Sequence, residues 1–392
     1  MALPRERDTW VTLLPRQSVG LWVYRTQIAS VDGETFEPGD IVSVRDHRGR
    51  FVGKGFINPA SMIQVRLLTR RQEDAIDEKF IRERVQRAWE YRQEVLSETE
   101  SCRVIFGEAD GLPGLIVDKF GDVLVMQNLA LGMERWQEVL LEALEDLLRP
   151  EGIYARHDVP VREKEGLPLW KGFLTHPFPT RFLIRENGVP LWVDVERGHK
   201  TGHFLDQREN RAALKPFVRG KRVLDVFCHT GGFGLHAAHY GASEVTAVDI
   251  SEEALELAKE SARAGGVEHS IRFYREDAFT FLRQAVREGE RYDVVILDPP
   301  AFAKSKRSLD GAYRGYKEIN LQAMKLLRPG GFLVTCSCSS PVTFDMFDVM
   351  LLDAAADARR TLRLVERRGQ ARDHPVILDH PESQYLKCYI LQ

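Results

Sequence analysis

The stretch Val223-Leu224-Asp225-Val226-Phe227-Cys228-His229-Thr230-Gly231-Gly232-Phe233-Gly234 decides how this chain folds. An apolar run of strand type ends in a tight turn, and the turn opens a helix. Glycines supply positive φ and let a backbone come close to a ligand. The dinucleotide fingerprint Gly-x-Gly-x-x-Gly is absent. An acidic residue on the strand precedes the turn instead, which points away from pyrophosphate. Asp225 is placed to meet an ammonium group or a structured water, and Phe227, Thr230 and Gly231 are the candidate ligand contacts of the turn beside it.

The same rhythm continues downstream. The pattern predicts strand Val223–Phe227 before helix Phe233–Tyr240, strand Glu244–Asp249 before helix Glu252–Ala264, and strand Ile271–Tyr274 before helix Ala278–Arg287. It then predicts strand Asp293–Leu297 before helix Tyr313–Leu327, and strand Phe332–Cys336 before helix Met346–Ala356. Such a series implies an α/β fold with a Rossmann-like, doubly wound, mostly parallel sheet. Ligands of these sheets sit at the carboxyl ends of the strands. Asp225, Asp249, Asp277, Asp298 and Cys338 all fall there.

Each acid suits one part of a nucleoside ligand that also carries an amino group. In Ala247-Val248-Asp249-Ile250-Ser251, Asp249 can accept from both ribose hydroxyls, with Ile250 as a neighbouring contact. In Glu276-Asp277-Ala278-Phe279, Asp277 can accept from an adenine amino group, with Ala278 beside it. Any one of these acids alone reads equally well as a helix cap. The ordered set, over roughly residues 220–340, resembles the motif series of class I methyltransferases. That resemblance implies S-adenosylmethionine as cofactor.

Two strand ends carry the candidate reacting groups. One is Val294-Val295-Ile296-Leu297-Asp298-Pro299-Pro300, and the other is Leu333-Val334-Thr335-Cys336-Ser337-Cys338-Ser339. The C5 carbon of cytosine is a poor nucleophile. A thiolate that adds to C6 makes C5 enamine-like, which splits one hard step into easier ones. A carboxylic acid beside the ring can stabilise the adduct at N3, and Asp298 also borders the cofactor site. Cys336 and Cys338 are two apart, so on a regular strand both face one side. Thr335-Cys336-Ser337 is similar to the motif of one RNA cytosine methyltransferase family. Ser337-Cys338-Ser339 with Pro341 is similar to that of the RNA uracil-C5 methyltransferases. Cys338 is preferred as the nucleophile because it lies further toward the open end. Many RNA cytosine methyltransferases have a second cysteine directly after Pro-Pro, where this chain has Ala301, so the base that releases the product is unassigned. The Cys-x-Cys pair has no second Cys/His pair at zinc spacing, and no metal site is expected.

Residues 10–70 read as short strands with Gly and Asp turns, which suggests a small barrel. The pattern Gly39-Asp40-x-Val42-x-Val44-x-Asp46-x-x-Gly49, with a later Gly53-x-Gly55, resembles the PUA domain, an RNA-binding module. A charged helix follows within residues 71–97. Strands are expected at Arg103–Phe106, Leu115–Asp118, Val123–Gln127, Ile153–Arg156 and Arg181–Glu186, with a helix from Glu134 to about Leu148. The division read from the sequence is a PUA-like domain at 1–72, a central α+β domain at 73–188 and a methyltransferase domain at 189–392.

Taken together, the chain resembles the RlmI family of bacterial 23S ribosomal RNA cytosine-C5 methyltransferases. The resemblance rests on Gly107-Glu108-x-Asp110-Gly111-Leu112-Pro113-Gly114-Leu115-x-Val117-Asp118 and Lys200-Thr201-Gly202-x-Phe204-Leu205-Asp206-Gln207-Arg208-x-Asn210-Arg211. It rests also on Asp298-Pro299-Pro300-x-Phe302, Arg314-Gly315-Tyr316-Lys317-x-Ile319-Asn320, Ser337-Cys338-Ser339 and Asp373-His374-Pro375-Val376. The implied partner is 23S ribosomal RNA, and a homodimer is the assembly at which the resemblance hints. The Lys200–Arg211 block precedes the first Rossmann strand, and Phe204, Asp206, Arg208 and Asn210 are its candidate cofactor contacts. Lys304, Lys306, Arg307 and Arg314 follow the Asp-Pro-Pro turn and are candidates for phosphate contacts.

Composition narrows the remaining classes. The chain has 392 residues, 43% of them hydrophobic, which allows two or three domains with a sizeable core. No run reaches the ~18 apolar residues that a membrane helix needs, and the first residues lack a signal-type apolar stretch. Five cysteines without framework spacing suggest a reducing compartment, with the cytoplasm as the expected location and no membrane partner. A net charge of −3 gives no global attraction to nucleic acid, so any RNA contact must use local patches. Two alternatives stay open: direct N-methylation of guanine, which needs no thiol, and an RNA-binding assembly factor with a degenerate methyltransferase domain.

Overall fold

Alternation of buried and exposed residues builds the first sheet of the computed structural model, which describes residues 1–17 and 19–392. Its strands are β1 (Glu6–Leu13), β2 (Trp22–Tyr24), β3 (Ile28–Gly33), β4 (Ile41–Arg45), β5 (Phe51–Ile57) and β6 (Ile63–Thr69). Their order is β2-β6-β5-β4-β1-β3, so the expected barrel is a six-stranded sheet with β2 and β3 at its two ends. Val11, Leu13, Val23, Val42, Val44, Ile57, Val65 and Leu67 fill one face. Strand β1 begins ahead of the 10–70 segment read as short strands. It runs parallel to β4 and antiparallel to β3, a pairing that no local turn announces.

Helix α1 (Glu78–Val95) starts at Asp77, whose side chain accepts from the Phe80 N–H. Then come β7 (Ser101–Phe106), β8 (Leu115–Phe120), β9 (Val123–Asn128), α2 (Leu131–Glu134), α3 (Gln137–Leu148), β10 (Gly152–His157) and β11 (Trp170–Phe173). The strand order is β11-β10-β9-β8-β7. The single helix expected from Glu134 is broken at Arg135 and Trp136. Trp136 is fully buried with non-helical dihedrals, and the Arg135 guanidinium donates to the Ala2, Leu3 and Pro38 carbonyls and to Asp40. Ile41, Phe56 and Leu68 of the first sheet share one core with Leu115, Met126, Trp136 and Leu140. These parts form one compact unit, Met1–Arg181 with Asp194–Leu205 and Arg372–Ser383. Two buried carboxylates tie it together. Asp40 accepts from the Arg5 and Glu37 N–H groups and from the Arg7 and Arg135 guanidinium groups at 2.8 to 3.0 Å. Glu165 accepts from Asn58, Ser61 and Arg66. The Asp373-His374 motif belongs here as well: the buried Asp373 carboxylate accepts from the Arg103 N–H at 2.9 Å.

The second unit comprises Phe182–Val193, Asp206–Ala371 and Gln384–Gln392. It takes most of the hairpin β12 (Arg181–Glu186) and β13 (Val189–Asp194), then α4 (Arg208–Ala212) and α5 (Lys215–Val218). The alternating series follows: β14 (Arg222–Val226), α6 (Gly232–His239), β15 (Glu244–Asp249), α7 (Glu252–Ala264), β16 (Ile271–Arg275), α8 (Ala278–Arg287), β17 (Tyr292–Leu297), α9 (Leu309–Leu326), β18 (Leu327–Ser337) and α10 (Phe344–Ala358). Two strands absent from the sequence reading close it, β19 (Leu364–Arg368) and β20 (Lys387–Leu391). The sheet order is β16-β15-β14-β17-β18-β20-β19. The first five of these strands are parallel, while β20 runs antiparallel to β18 and to β19. Val223, Leu224, Val294, Val295, Ile296, Leu297, Leu333 and Val334 are all buried, as expected of strands covered on both faces. The order reverses between β14 and β17, the place where such sheets open a crevice. Among the described residues, no helix is long and apolar enough to cross a membrane.

The Asp40 cluster yields the first prediction. Asp40→Asn removes the charge that neutralises the buried Arg135. Breaking a buried pair on one side destabilises by about 3–5 kcal/mol. Urea unfolding should show a loss of that size, whereas Asp32→Asn, at an exposed position, should leave the midpoint nearly unchanged.

Candidate active site

The turn after β14 is held in a conformation that L-residues avoid. Phe227 and His229 have φ of 64° and 50°, and Gly231 has φ of 79°. Each such non-glycine residue costs roughly 1–3 kcal/mol and persists only where its surroundings determine it. Here the Cys228 N–H donates to the Val248 carbonyl at 3.1 Å, the His229 N–H to Asp249 Oδ2 at 2.8 Å and the Gly231 N–H to the Cys228 carbonyl at 2.7 Å. At the start of α6, the Gly234 N–H donates to Asp225 Oδ2 at 2.7 Å. A Cβ at Gly234 would lie 3.0 Å from that same oxygen, so the close approach needs glycine.

Asp225 is fully buried, and its Oδ1 has no hydrogen-bond partner among the described residues. Burial pushes its carboxyl up to about 8, and the charges of Asp298 and Asp249 add to the shift, against the Gly234 N–H. At neutral pH the group is therefore largely protonated. A cation placed against Oδ1 would reverse that balance.

The next two strand ends present their acids differently. Asp249, half-buried at the end of β15, accepts from the His229 N–H through Oδ2 and from the Ser251 N–H through Oδ1. Ile250 follows it with 69% exposure, an apolar side chain offered to solvent beside the turn. Asp277 is exposed and caps α8, its Oδ1 accepting from the Thr280 N–H and hydroxyl. Ala278 is buried as the first residue of that helix.

The Lys200–Arg211 block divides between the two units. Phe204 belongs to the first, with the Lys200 ammonium 4.8 Å from its ring centroid. Asp206, buried in the second, accepts from the Tyr385 hydroxyl. The buried Arg208 has its carbonyl bonded by Asn187. Asn210 donates to Gln207 Oε1 at 2.6 Å and to the Gly369 carbonyl, and accepts from Arg368. Gln207 in turn donates to Asp298 Oδ1 at 2.9 Å. Asn210 thus reaches the site through Gln207, which the sequence reading quoted only as part of a block.

Asp298 sits just past β17, half-buried, in the strand next to β14. On the other side of β17 the two cysteines of β18 have different surroundings. Cys336 is fully buried and paired in register with Cys388, and burial holds its thiol well above the ordinary range. Cys338 lies past the end of β18, half-buried, with Sγ 3.8 Å from the Pro299 carbonyl. Its segment is anchored by Ser339, whose hydroxyl meets the Ala303 N–H at 3.0 Å and the Tyr316 hydroxyl at 2.9 Å. Lys387, which the sequence reading passed over, donates to the Ser339 carbonyl at 2.7 Å and to the Tyr385 carbonyl at 2.8 Å. It sits on β20, far downstream in a stretch without a motif. Lys304, Lys306, Arg307 and Arg314 are exposed on the connection into α9 and its first turns, and none has a carboxylate partner among the described residues.

Known proteins share this architecture. The family of S-adenosylmethionine-dependent methyltransferases matches residues 172–389, and the PUA-like domain family matches residues 18–70. Ribosomal RNA large subunit methyltransferase I of Shewanella denitrificans is 45% identical over 370 residues, which are 93% of each chain. The Escherichia coli protein of the same name is 42% identical over 372 residues, 94% of each chain. A candidate SAM-dependent methyltransferase from Streptococcus mutans superposes with a TM-score of 0.82 at 20% identity, over 97% of this chain and 99% of that one. A second candidate methyltransferase, solved in complex with SAH, gives a TM-score of 0.78 at 20% identity over 99% of both.

Protonated Asp225 makes stability depend on pH in a definite direction. From its ordinary value near 4 up to about 8, the folded state keeps a proton that the unfolded state has released. Stability from this group therefore falls as pH rises through that window. Urea unfolding at pH 5 and pH 8 should show wild type losing stability relative to Asp225→Asn as pH rises. Parallel behaviour of the two proteins would contradict the assignment.

Proposed function

The chain belongs to the ribosomal RNA large subunit methyltransferase I family of S-adenosylmethionine-dependent enzymes, and from that premise we propose that it methylates C5 of a cytosine in 23S ribosomal RNA through a transient Cys338 adduct. The observation that carries this reading is the half-buried Cys338 thiol beside Asp298-Pro299-Pro300, with Cys336 sealed inside the sheet.

The residues present suit the cofactor. The buried Asp225 Oδ1, without a hydrogen-bond partner among the described residues and at the mouth of a strained glycine turn, fits the ammonium end of a methionine moiety. Asp225, Phe227, Thr230 and Gly231 would hold that end. Asp249 and Ile250 would take the ribose and one face of the base, and Asp277 and Ala278 the adenine edge. Asp206, Arg208 and Asn210 would line or brace the segment that covers it. When bound, S-adenosylmethionine supplies an electrophilic methyl group to an activated ring carbon.

The protein's own groups do the rest. Cytosine must leave its stack to reach a strand-end thiol. The Cys338 sulfur gives its electron pair to C6, and the C5–C6 π pair becomes available at C5. Asp298, steadied by Gln207, stabilises the adduct by hydrogen bonding at N3. Loss of the C5 proton then returns an electron pair to the ring and expels the sulfur. Ala301 offers no thiol for that release. The basic residues 304, 306, 307 and 314 would grip phosphates beside the flipped base.

Three working parts go with this reading: a PUA-like RNA-binding part at 1–72, a central part at 73–188 and the methyltransferase part at 189–392. A homodimer in the cytoplasm is the assembly we propose for it.

Cys338→Ala should lower turnover by on the order of 10³-fold or more, as loss of a nucleophile does. Cys336→Ala should retain most of it. With 5-fluorocytosine-substituted ribosomal RNA and cofactor, wild type should form a gel-stable complex that the Cys338→Ala variant cannot form. Full turnover by Cys338→Ala would favour direct N-methylation and end the covalent reading.

A further inference from the structure

Lys387 is 1% exposed and pairs with no carboxylate among the described residues. A buried ammonium without a counter-charge is costly, so such a position calls for compensation. Its strand defines where it points. Lys387 opposes Ser337 in the antiparallel pair of β18 and β20, and its Nζ donates to the Ser339 carbonyl. The side chain therefore spans Cys338 from one neighbour to the other. Two of its three donor positions are taken by the Ser339 and Tyr385 carbonyls.

We propose that Lys387 is the proton acceptor and counter-ion of the Cys338 thiol. The Sγ proton passes to the neutral Nζ, leaving a thiolate beside an ammonium, with atoms and charge conserved. On attack, the sulfur electron pair goes to C6 while the ammonium stays. On release, the C6–S pair returns to sulfur opposite the same ammonium. Lys387 thus acts directly on the proton and charge of the sulfur, and its role rests on Cys338 being the nucleophile.

The balance of forces fits. Burial lowers the lysine to about 8, where a neutral amine is accessible, and a negative charge on Cys338 raises it again. The other ionisable groups on the packed elements do not supply this charge. Cys336 is kept protonated by burial, and Tyr316 of α9 is raised above its ordinary range by burial. Among the described residues neither Asp298 nor Asp206 forms an ion pair with Lys387: Asp298 accepts from Gln207, and Asp206 accepts from the Tyr385 hydroxyl.

The test reads the thiol directly on the full chain. Iodoacetamide alkylation of Cys338, followed by peptide mass spectrometry from pH 5.5 to 9.5, gives its ionisation midpoint. Wild type should show a midpoint below the ordinary thiol value of ~8.5. Lys387→Met should raise that midpoint by about one unit and slow alkylation at pH 7 roughly tenfold. Lys387→Arg, always charged, should keep the midpoint low as a counter-ion while supplying no proton acceptor. In turnover, Lys387→Met should lower kcat and move the pH optimum upward while leaving KM for ribosomal RNA unchanged. An unchanged alkylation profile in a folded Lys387→Met protein overturns the proposal. If that variant fails to fold, a wild-type midpoint at or above ~8.5 overturns it instead. Because alkylation needs no methyl transfer, this outcome is separable from failure of the nucleophile reading, which Cys338→Ala turnover alone reports.

Discussion

The parallel pairing of β14 with β17 is the constraint on which the site depends. Its register sets Val226 against Leu297, so the two strands end together with Asp225 and Asp298 at their rims. Helices cover both faces of a parallel sheet, so the strand interiors must be apolar. The carboxylates Asp225, Asp249 and Asp298 fall at or beside the points where their strands stop. The chain reverses winding direction between these two strands, and the helices diverge there. The crevice is thus a consequence of topology, and the acids around it sit where burial and access to a ligand coincide.

That placement concentrates negative charge in a poorly solvated region. Burial of Asp225, with the charges of Asp298 and Asp249 adding to it, favours its protonated form. The protein relieves part of the strain with backbone N–H groups: Gly234 toward Asp225, and His229 and Ser251 toward Asp249. The left-handed residues Phe227 and His229 belong to the same solution. With φ above zero, they turn the chain sharply enough for the His229 N–H to reach the neighbouring strand's carboxylate. Backbone strain and acid stabilisation are therefore one arrangement seen from two sides. A cation at Asp225 would complete the neutralisation that the backbone begins.

What was legible in the sequence follows from distance along the chain. The β–α series from residue 222 to 358 could be read because each unit buries its apolar run against its own neighbour. Helices Glu252–Ala264 and Ala278–Arg287 match the residue boundaries expected, since Ser251 and Asp277 are side-chain caps. Strands β19 and β20 could not be read in the same way. β20 pairs with β18 only after a long excursion through residues 369–386, part of which packs in the other unit. The same separation hid Lys387, which meets Ser339 only through tertiary pairing. The motif places Asn210 near the cofactor segment, and the structure adds that its amide group is bound by Gln207, Gly369 and Arg368. Spacing shows that a polar residue is near a site, and does not show which of its atoms are already engaged.

The two strand ends of β17 and β18 differ in how each holds the side chain just past it, Asp298 at one and Cys338 at the other. At β17 the two prolines end the strand by geometry, so the Asp298 carboxylate is held by where the backbone can no longer go. At β18 the strand runs on to Ser337, and the thiol beyond it is fixed by anchors on either side: the β20 pairing before it and the Ser339 hydroxyl after it. A thiol two residues earlier, at Cys336, lies inside the sheet, opposite Cys388, where burial opposes ionisation. The half-turn of extended chain past Ser337 is what brings a sulfur out of the core. It also brings that sulfur next to Ser339, whose carbonyl accepts from the buried Lys387 ammonium group.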